Sequence, residues 1–193
     1  MRRFRRGSRV IRILRAADRI ATPWKNGGGV TRDVAVWPEG TGIEDFGWRV
    51  SIADVRSAGP FSKFENVDRI MLILEGRLAM TVGDRKVELQ RGSPPFAFPG
   101  DVPSSGAPLD GAVTDLNIMT RRGRWAAHVR YTREAGLAHR NGQTLIVTPS
   151  PTIVTVHAER HELQSLDAVL IDEPTGLRVS AGAQFIAITL MPV

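Results

Sequence analysis

The sequence predicts an all-β protein built from two copies of one β unit, and three observations carry that prediction. Helical periodicity is almost absent from the 193 residues. Short segments rich in valine and isoleucine recur between Gly, Pro, Asp and Ser, the pattern of a sandwich or barrel. The two halves also align with each other. Leu72-Ile73 matches Leu145-Ile146 at an offset of 73, while Thr81-Val82 and Glu88-Leu89-Gln90 match Thr155-Val156 and Glu162-Leu163-Gln164 at 74. The strand ending in Asn117-Ile118-Met119-Thr120 is echoed by Ala187-Ile188-Thr189-Leu190, so the register holds over about 50 residues.

The predicted strands follow in order. In the first half they are Val30–Trp37, Trp48–Val55, Arg69–Leu74, Arg77–Val82, Phe96–Phe98 and Asp115–Met119. In the second they are Thr144–Thr148, Ile153–Val156, Ala168–Ile171 and Gln184–Leu190. The seam falls near Arg121-Arg122-Gly123-Arg124, a basic stretch with a glycine that suits a linker. We therefore expect a basic extension over residues 1–9 that is disordered, a first β unit over 10–122 that carries a pocket, and a structural second unit over 123–193.

Composition narrows the functional classes. The apolar fraction of 42% is ample for a buried interior. The chain has no cysteine, which excludes disulfides and thiolate metal sites and fits a cytoplasmic location. No apolar run approaches the roughly 18 residues of a membrane-spanning helix, and the N-terminus lacks the apolar core and cleavage site of a secretory signal. The net charge of +6 suggests nucleic acid, but its distribution does not. Eight arginines and one acid give residues 1–19 a charge of +7, which leaves −1 for residues 20–193. A basic arm can hold phosphate backbones non-specifically, yet no helix-turn-helix, zinc-finger or RNP-type pattern accompanies it. Neither specific nucleic acid nor membrane is expected as a partner.

The residues that carry chemistry cluster in the first half. Pro23-Trp24-Lys25-Asn26-Gly27-Gly28-Gly29 sets a cation, an amide and an indole before three residues without Cβ, and reads as a loop built to hold something small and polar. In the strand from Trp48, alternation puts Trp48, Val50 and Ile52 in one layer and Arg49, Ser51 and Ala53 on the opposite face. That second face suits either a polar pocket wall or a solvated surface. Arg69, Met71, Ile73 and Glu75 share a face on another strand, where the arginine offers a bidentate fork for a carboxylate or an edge-strand charge. Asp68 and Arg69 point apart, so they do not pair. Asp115, Asn117 and Met119 share a face as well, and a buried amide there needs a partner. The histidines make no site: His157 and His161 lie in a strand–turn–strand region, and His128 and His139 in a polar connection.

Taken together these stretches resemble the HutD/Ves family of small bacterial cupin-fold proteins. The resemblance rests on Pro23 to Thr31, Trp48 to Val55, Gly59 to Phe64, Val67-Asp68-Arg69, Leu74-Glu75-Gly76, Pro95 to Asp101 and Asp115 to Arg122, in order over residues 20–122. It implies a bicupin, two jelly-roll barrels in one chain, and an association with histidine utilisation. Members are thought to bind a small anionic intermediate, of the formiminoglutamate or urocanate class, and to limit flux or induction. Metal-binding cupins carry histidines where this chain has Phe64-Glu65-Asn66-Val67-Asp68-Arg69 and Pro99-Gly100-Asp101-Val102-Pro103-Ser104. Arginine keeps the power to hold an anion but offers no Lewis acid or activated water.

The expected function is thus a bicupin without metal or cofactor that binds a small anionic metabolite and regulates histidine catabolism. Lys25 and Asn26 would sit at the barrel mouth. Arg49 and Arg69 would neutralise carboxylates, Ser51 and Asn117 would orient the polar remainder, and Phe98 and Met119 would form an apolar wall. The alternative is an enzyme, a lyase, isomerase or hydrolase, using Lys25 or Asp101 as acid–base groups on a small carboxylate. Exposed strand edges make a homodimer an expectation of the fold class.

Overall fold

A nine-residue run such as Gly29–Trp37, β-branched at Val30, Thr31, Val34 and Val36 and bounded by glycine and proline, has little choice but to extend. The computed structural model describes residues 11–133, 142–156, 159–172, 177–179 and 183–193. The 1–9 extension, His139 and His157 lie outside them. Apart from a 3-10 turn at Ala16–Asp18, the regular structure among the described residues is strand. Among the described residues no helix is long and apolar enough to cross a membrane.

The strands form two units. One spans Ala17–Val129, and the other joins residues 11–16 to the described residues from Arg130 to Pro192. This division differs from the expected 10–122 and 123–193. The strand Ile11–Leu14 (β1) pairs antiparallel with Ala168–Ile171 (β16), so its residues belong with the second unit. Asp167 secures that end: its buried carboxylate accepts from the Ala16 amide at 2.7 Å, the Gln164 amide at 2.9 Å and Arg15 Nη1 at 2.8 Å.

In the Ala17–Val129 unit a six-stranded sheet runs in the order Ala21–Pro23 (β2), Gly29–Trp37 (β3), Trp48–Val55 (β4), Val113–Arg121 (β11), Val67–Glu75 (β6), Phe96–Pro99 (β9). A four-stranded sheet runs Gly59–Pro60 (β5), Ser104–Pro108 (β10), Arg77–Val82 (β7), Arg85–Gln90 (β8). One buried cluster draws on both: Val55, Met71, Ile73, Phe96, Phe98 and Val113 from the first, and Leu78, Met80, Val82 and Leu89 from the second. A five-stranded sheet runs β1, β16, Gln143–Val147 (β13), Phe185–Pro192 (β18), Trp125–Thr132 (β12), its last strand spanning the division at Val129. The second unit holds another sheet ordered Glu159–Leu163 (β15), Thr152–Val156 (β14), Leu177–Val179 (β17).

The internal repeat seen in the sequence reappears as strand order. The run β4-β11-β6-β9 in one unit corresponds to β12-β18-β13-β16 in the other, and β10-β7-β8 to β17-β14-β15. The matched residues, Leu72-Ile73 with Leu145-Ile146 and Thr81-Val82 with Thr155-Val156, occupy corresponding strands. Their interiors differ in chemistry. The second unit's cluster is Ile146, Val154, Leu163, Val169, Ile171, Phe185 and Ala187, with Ile11 and Ile13 packed against it.

The glycine triplet closes the β2–β3 hairpin. Its peptide groups are occupied by the protein itself: the Gly29 carbonyl accepts from the Trp24 amide at 2.9 Å, and the Gly28 carbonyl from the Arg56 amide at 2.9 Å. Gly27 sits at φ +71°, and a Cβ on Gly29 would stand 2.5 Å from the Asp54 carbonyl and 3.1 Å from the Trp24 ring. Gly27 therefore serves the left-handed backbone of this turn and Gly29 its close packing. Gly29→Ala should lower the stability by about 1–3 kcal/mol through overpacking against backbone, read as a lower urea midpoint at unchanged slope. An unchanged midpoint would mean that the turn has room to spare.

Candidate functional site

Register decides which side chains meet. On the interior face of the six-stranded sheet, Met119 of β11 stands between Arg49 and Arg69, Asn117 between Ser51 and Met71, and Asp115 between Ala53 and Ile73. Phe98 of β9 lies beside Arg69. Three alternations read separately from the sequence thus fall on one face. Arg69 is 5% exposed, Asp115 2% and Asn117 8%, while Ser51 and Met119 are fully buried. Polar groups here sit in the same interior as the aliphatic cluster.

Arg69 is the centre of this arrangement. Its guanidinium carbon lies 4.8 Å from the centroid of Phe98, 5.6 Å from Phe64 and 5.9 Å from Phe61. Rings at these distances attract a cation through their electron-rich faces. Its two hydrogen bonds among the described residues are long: Nε donates to Asn117 Oδ1 at 3.4 Å and Nη1 to the Ser62 carbonyl at 3.4 Å. A guanidinium carries five N–H donors, so most of its donor capacity is unspent. Burial pulls the Arg69 pKa down to about 10, opposed by the field of Asp115 and reinforced by that of Arg49.

Asp115 is the acidic counterpart. It makes no hydrogen bond or ion pair among the described residues. Burial pushes its carboxyl up to about 7, Arg69 acting against the rise and Asp54 adding to it. A carboxyl so placed is largely neutral below neutral pH, which leaves the Arg69 charge poorly compensated. Arg49, further out, is paired with Asp33 at 2.5 Å and touches Met119 Sδ from Nη1 at 3.8 Å. Asp33 enters where β3 shifts register between Asp33 and Ala35, a bulge that re-aims its side chains.

Of the expected site residues, the structure brings together Arg69, Asn117 and Phe98 by contact, and Met119, Arg49 and Ser51 by register and shared face. It does not bring Lys25 or Asn26 to this cluster. Both are exposed on the hairpin turn, and Asn26 Oδ1 accepts from the Gly28 amide at 3.0 Å. The turn reaches the cluster through Trp24 instead. That indole packs edge-on against Phe61 at 6.0 Å and donates from Nε1 to Thr31 Oγ1 at 2.7 Å. Asp101 lies elsewhere, gripped by Arg122, which also holds Asp68 at 2.8 Å. The hydrogen bond from Arg122 keeps the Asp101 carboxyl below the ordinary carboxylate range, so it is a poor proton carrier at neutral pH.

Reasoning on sequence missed Asp115, Phe61 and Phe64 as site residues. Asp115 shares a face with Asn117 in any extended reading, and that was the available signal. The two phenylalanines lie in a loop, where alternation says nothing of direction. Among the described residues no three His, Cys, Asp or Glu side chains form a metal-binding group.

Comparison with known proteins agrees with this architecture. The HutD family profile matches residues 16–188. An uncharacterized 21.2 kDa protein in the hutC 3′ region of Pseudomonas putida is 31% identical over 157 residues, 81% of this chain and 82% of that protein. Protein Ves of Citrobacter koseri is 40% identical over 109 residues, 55% of this chain and 56% of that one. The solved structure of HutD from Pseudomonas fluorescens SBW25, obtained in a formate condition, superposes with a TM-score of 0.82 at 30% identity, covering 95% of this chain and 100% of that one. An oxalate decarboxylase of Bacillus subtilis superposes at 0.65 with 10% identity over 93% of this chain and 76% of that one, a likeness of cupin-type fold alone.

The Asp115 carboxyl gives a stability test. Its folded pKa of about 7 lies above the ordinary 3.8, so the unfolded chain ionises first as pH rises. Stability is therefore lost between about pH 4 and pH 7 and stays lost above, by as much as about 4 kcal/mol. Asp115→Asn should raise the unfolding temperature at pH 8 and leave it nearly unchanged below pH 4. Parallel pH profiles for the two proteins would contradict this assignment.

Proposed function

The chain belongs to the HutD family, and on that premise we propose that the polar interior of its Ala17–Val129 unit binds a small carboxylate of the formiminoglutamate or urocanate class. In this reading the protein is a bicupin whose first barrel carries the ligand and whose second supports it, and binding limits or regulates histidine catabolism. The binding group is the Arg69 guanidinium. The observation that carries the reading is its state: a buried cation ringed by Phe61, Phe64 and Phe98, with two long hydrogen bonds to neutral acceptors.

A desolvated charge costs several kcal/mol unless it is compensated, and the flanking rings return only part of that. An incoming carboxylate would supply the missing charge and take two parallel N–H donors in one fork. Asn117 Nδ2 and Ser51 Oγ add neutral donors beside it, and Met119 and Phe98 exclude water, which strengthens every contact inside. Support for the pathway comes from the Pseudomonas putida relative, whose name places it beside hutC. The enzymatic alternative draws no support from Lys25, which is exposed, or from Asp101, which is tied to Arg122.

Calorimetry with urocanate and formiminoglutamate tests the reading. Arg69→Met replaces the buried cation by an apolar side chain of similar length, a change that is often neutral or stabilising. It should fold and lose about 2–5 kcal/mol of binding. Arg49→Ala, removing a partly exposed pair with Asp33, should cost no more than about 1 kcal/mol. A folded Arg69→Met protein that binds either anion as tightly as wild type would remove Arg69 from the site.

A further inference from the structure

The interior face carries a second buried charge-bearing group that an anion site does not need. Asp115 stands two residues from Asn117 on β11, about 7 Å along the strand, and four from Met119, where Arg49 and Arg69 flank the strand. Ionised, it repels a bound carboxylate. It nevertheless sits close enough to Arg69 for each to feel the other's field, and the two do not pair directly. Arg69 therefore keeps unspent donors and Asp115 unspent acceptors within one water-poor interior.

A single molecule with an acceptor at one end and a donor at the other would satisfy both. Resting on the anion-site reading above, we propose that the ligand is dipolar, a carboxylate held by Arg69 together with an N–H-bearing nitrogen group held by Asp115. Asp115 is then the specificity-determining residue, separating nitrogenous carboxylates from plain ones. The charged groups around it are consistent with that role. Arg69 on β6 and Arg49 on β4 stand across from Met119, four residues along β11 from it, and Arg49 is paired with Asp33 of β3. Asp54 on β4 is engaged by Arg32 at 2.7 Å and by Thr114 Oγ1 at 3.2 Å. The cross-strand neighbours of Asp115 are Ala53 and Ile73, whose side chains offer no donor, so a ligand N–H is the partner it lacks.

The two ligand types then respond oppositely to pH. A plain carboxylate binds best while Asp115 is protonated, and weakens as that group ionises. A ligand that donates an N–H to Asp115 favours the ionised form, so it does not weaken in the same way.

The test is calorimetry on the full chain with urocanate and with 3-(2-furyl)acrylate, which keeps the carboxylate and a five-membered ring but has no N–H. At pH 8 wild type should bind urocanate at least tenfold more tightly. From pH 6 to pH 8 the furylacrylate affinity should fall while that of urocanate holds or rises. In Asp115→Asn the preference should shrink to within about twofold, with furylacrylate bound as well as before or better. Equal affinities and parallel pH dependences in wild type would overturn the inference while leaving the anion site intact, and those measurements need no variant. A preference that survives in a folded Asp115→Asn protein would also overturn it. Failure of wild type to bind either compound would overturn the anion site itself.

Discussion

A guanidinium withdrawn from water has to be compensated by its surroundings, and around Arg69 that requirement organises a large part of the unit. Three phenylalanines from two different segments, Phe61 and Phe64 before β6 and Phe98 on β9, present rings to it. Asn117 and the Ser62 carbonyl reach it at 3.4 Å. None of these groups carries negative charge, and Asp115, the acid whose field reaches Arg69 among the described residues, is itself so buried that it resists ionising. The result is a buried cation with long hydrogen bonds to neutral acceptors, the condition under which one hydrogen-bonding anion is worth most.

The matching strand order of the two units provides an internal control on that argument. The second unit repeats the strand order of the first, and among its described residues the cluster is Ile146, Val154, Leu163, Val169, Ile171, Phe185 and Ala187. The strand order is therefore compatible with a cluster made of apolar side chains. The polar face made of Arg69, Asp115, Asn117 and Ser51 is not a demand of the strand pattern, and it carries the penalty that buried polar groups bring. The proposed ligand site would offset such a penalty, in the way that small-molecule sites combine apolar walls with a few convergent polar groups.

Much of this was legible in the sequence because alternation is a strict rule within a strand. Arg49 with Ser51, Arg69 with Met71, and Asp115 with Asn117 and Met119 each fell on one face as the two-residue period requires. What alternation does not reveal is the register between strands, and register is what sets Met119 between two arginines and Asp115 within the field of one. Loops were equally opaque. The three glycines after Trp24-Lys25-Asn26 read as a cradle, whereas their carbonyls close a hairpin and the absent Gly29 Cβ makes room for the Asp54 carbonyl. The pairing of β1 with β16 spans more than 150 residues, and no local pattern announces a partner so distant.

A crystal structure of the protein grown with urocanate tests the central claim, that Arg69 is the anion-binding group, most directly. The account predicts the ligand carboxylate on the Arg69 guanidinium at hydrogen-bond distance, between the rings of Phe61, Phe64 and Phe98. Urocanate bound on the outer surface, with Asp115 turned into a direct ion pair with Arg69, would contradict it.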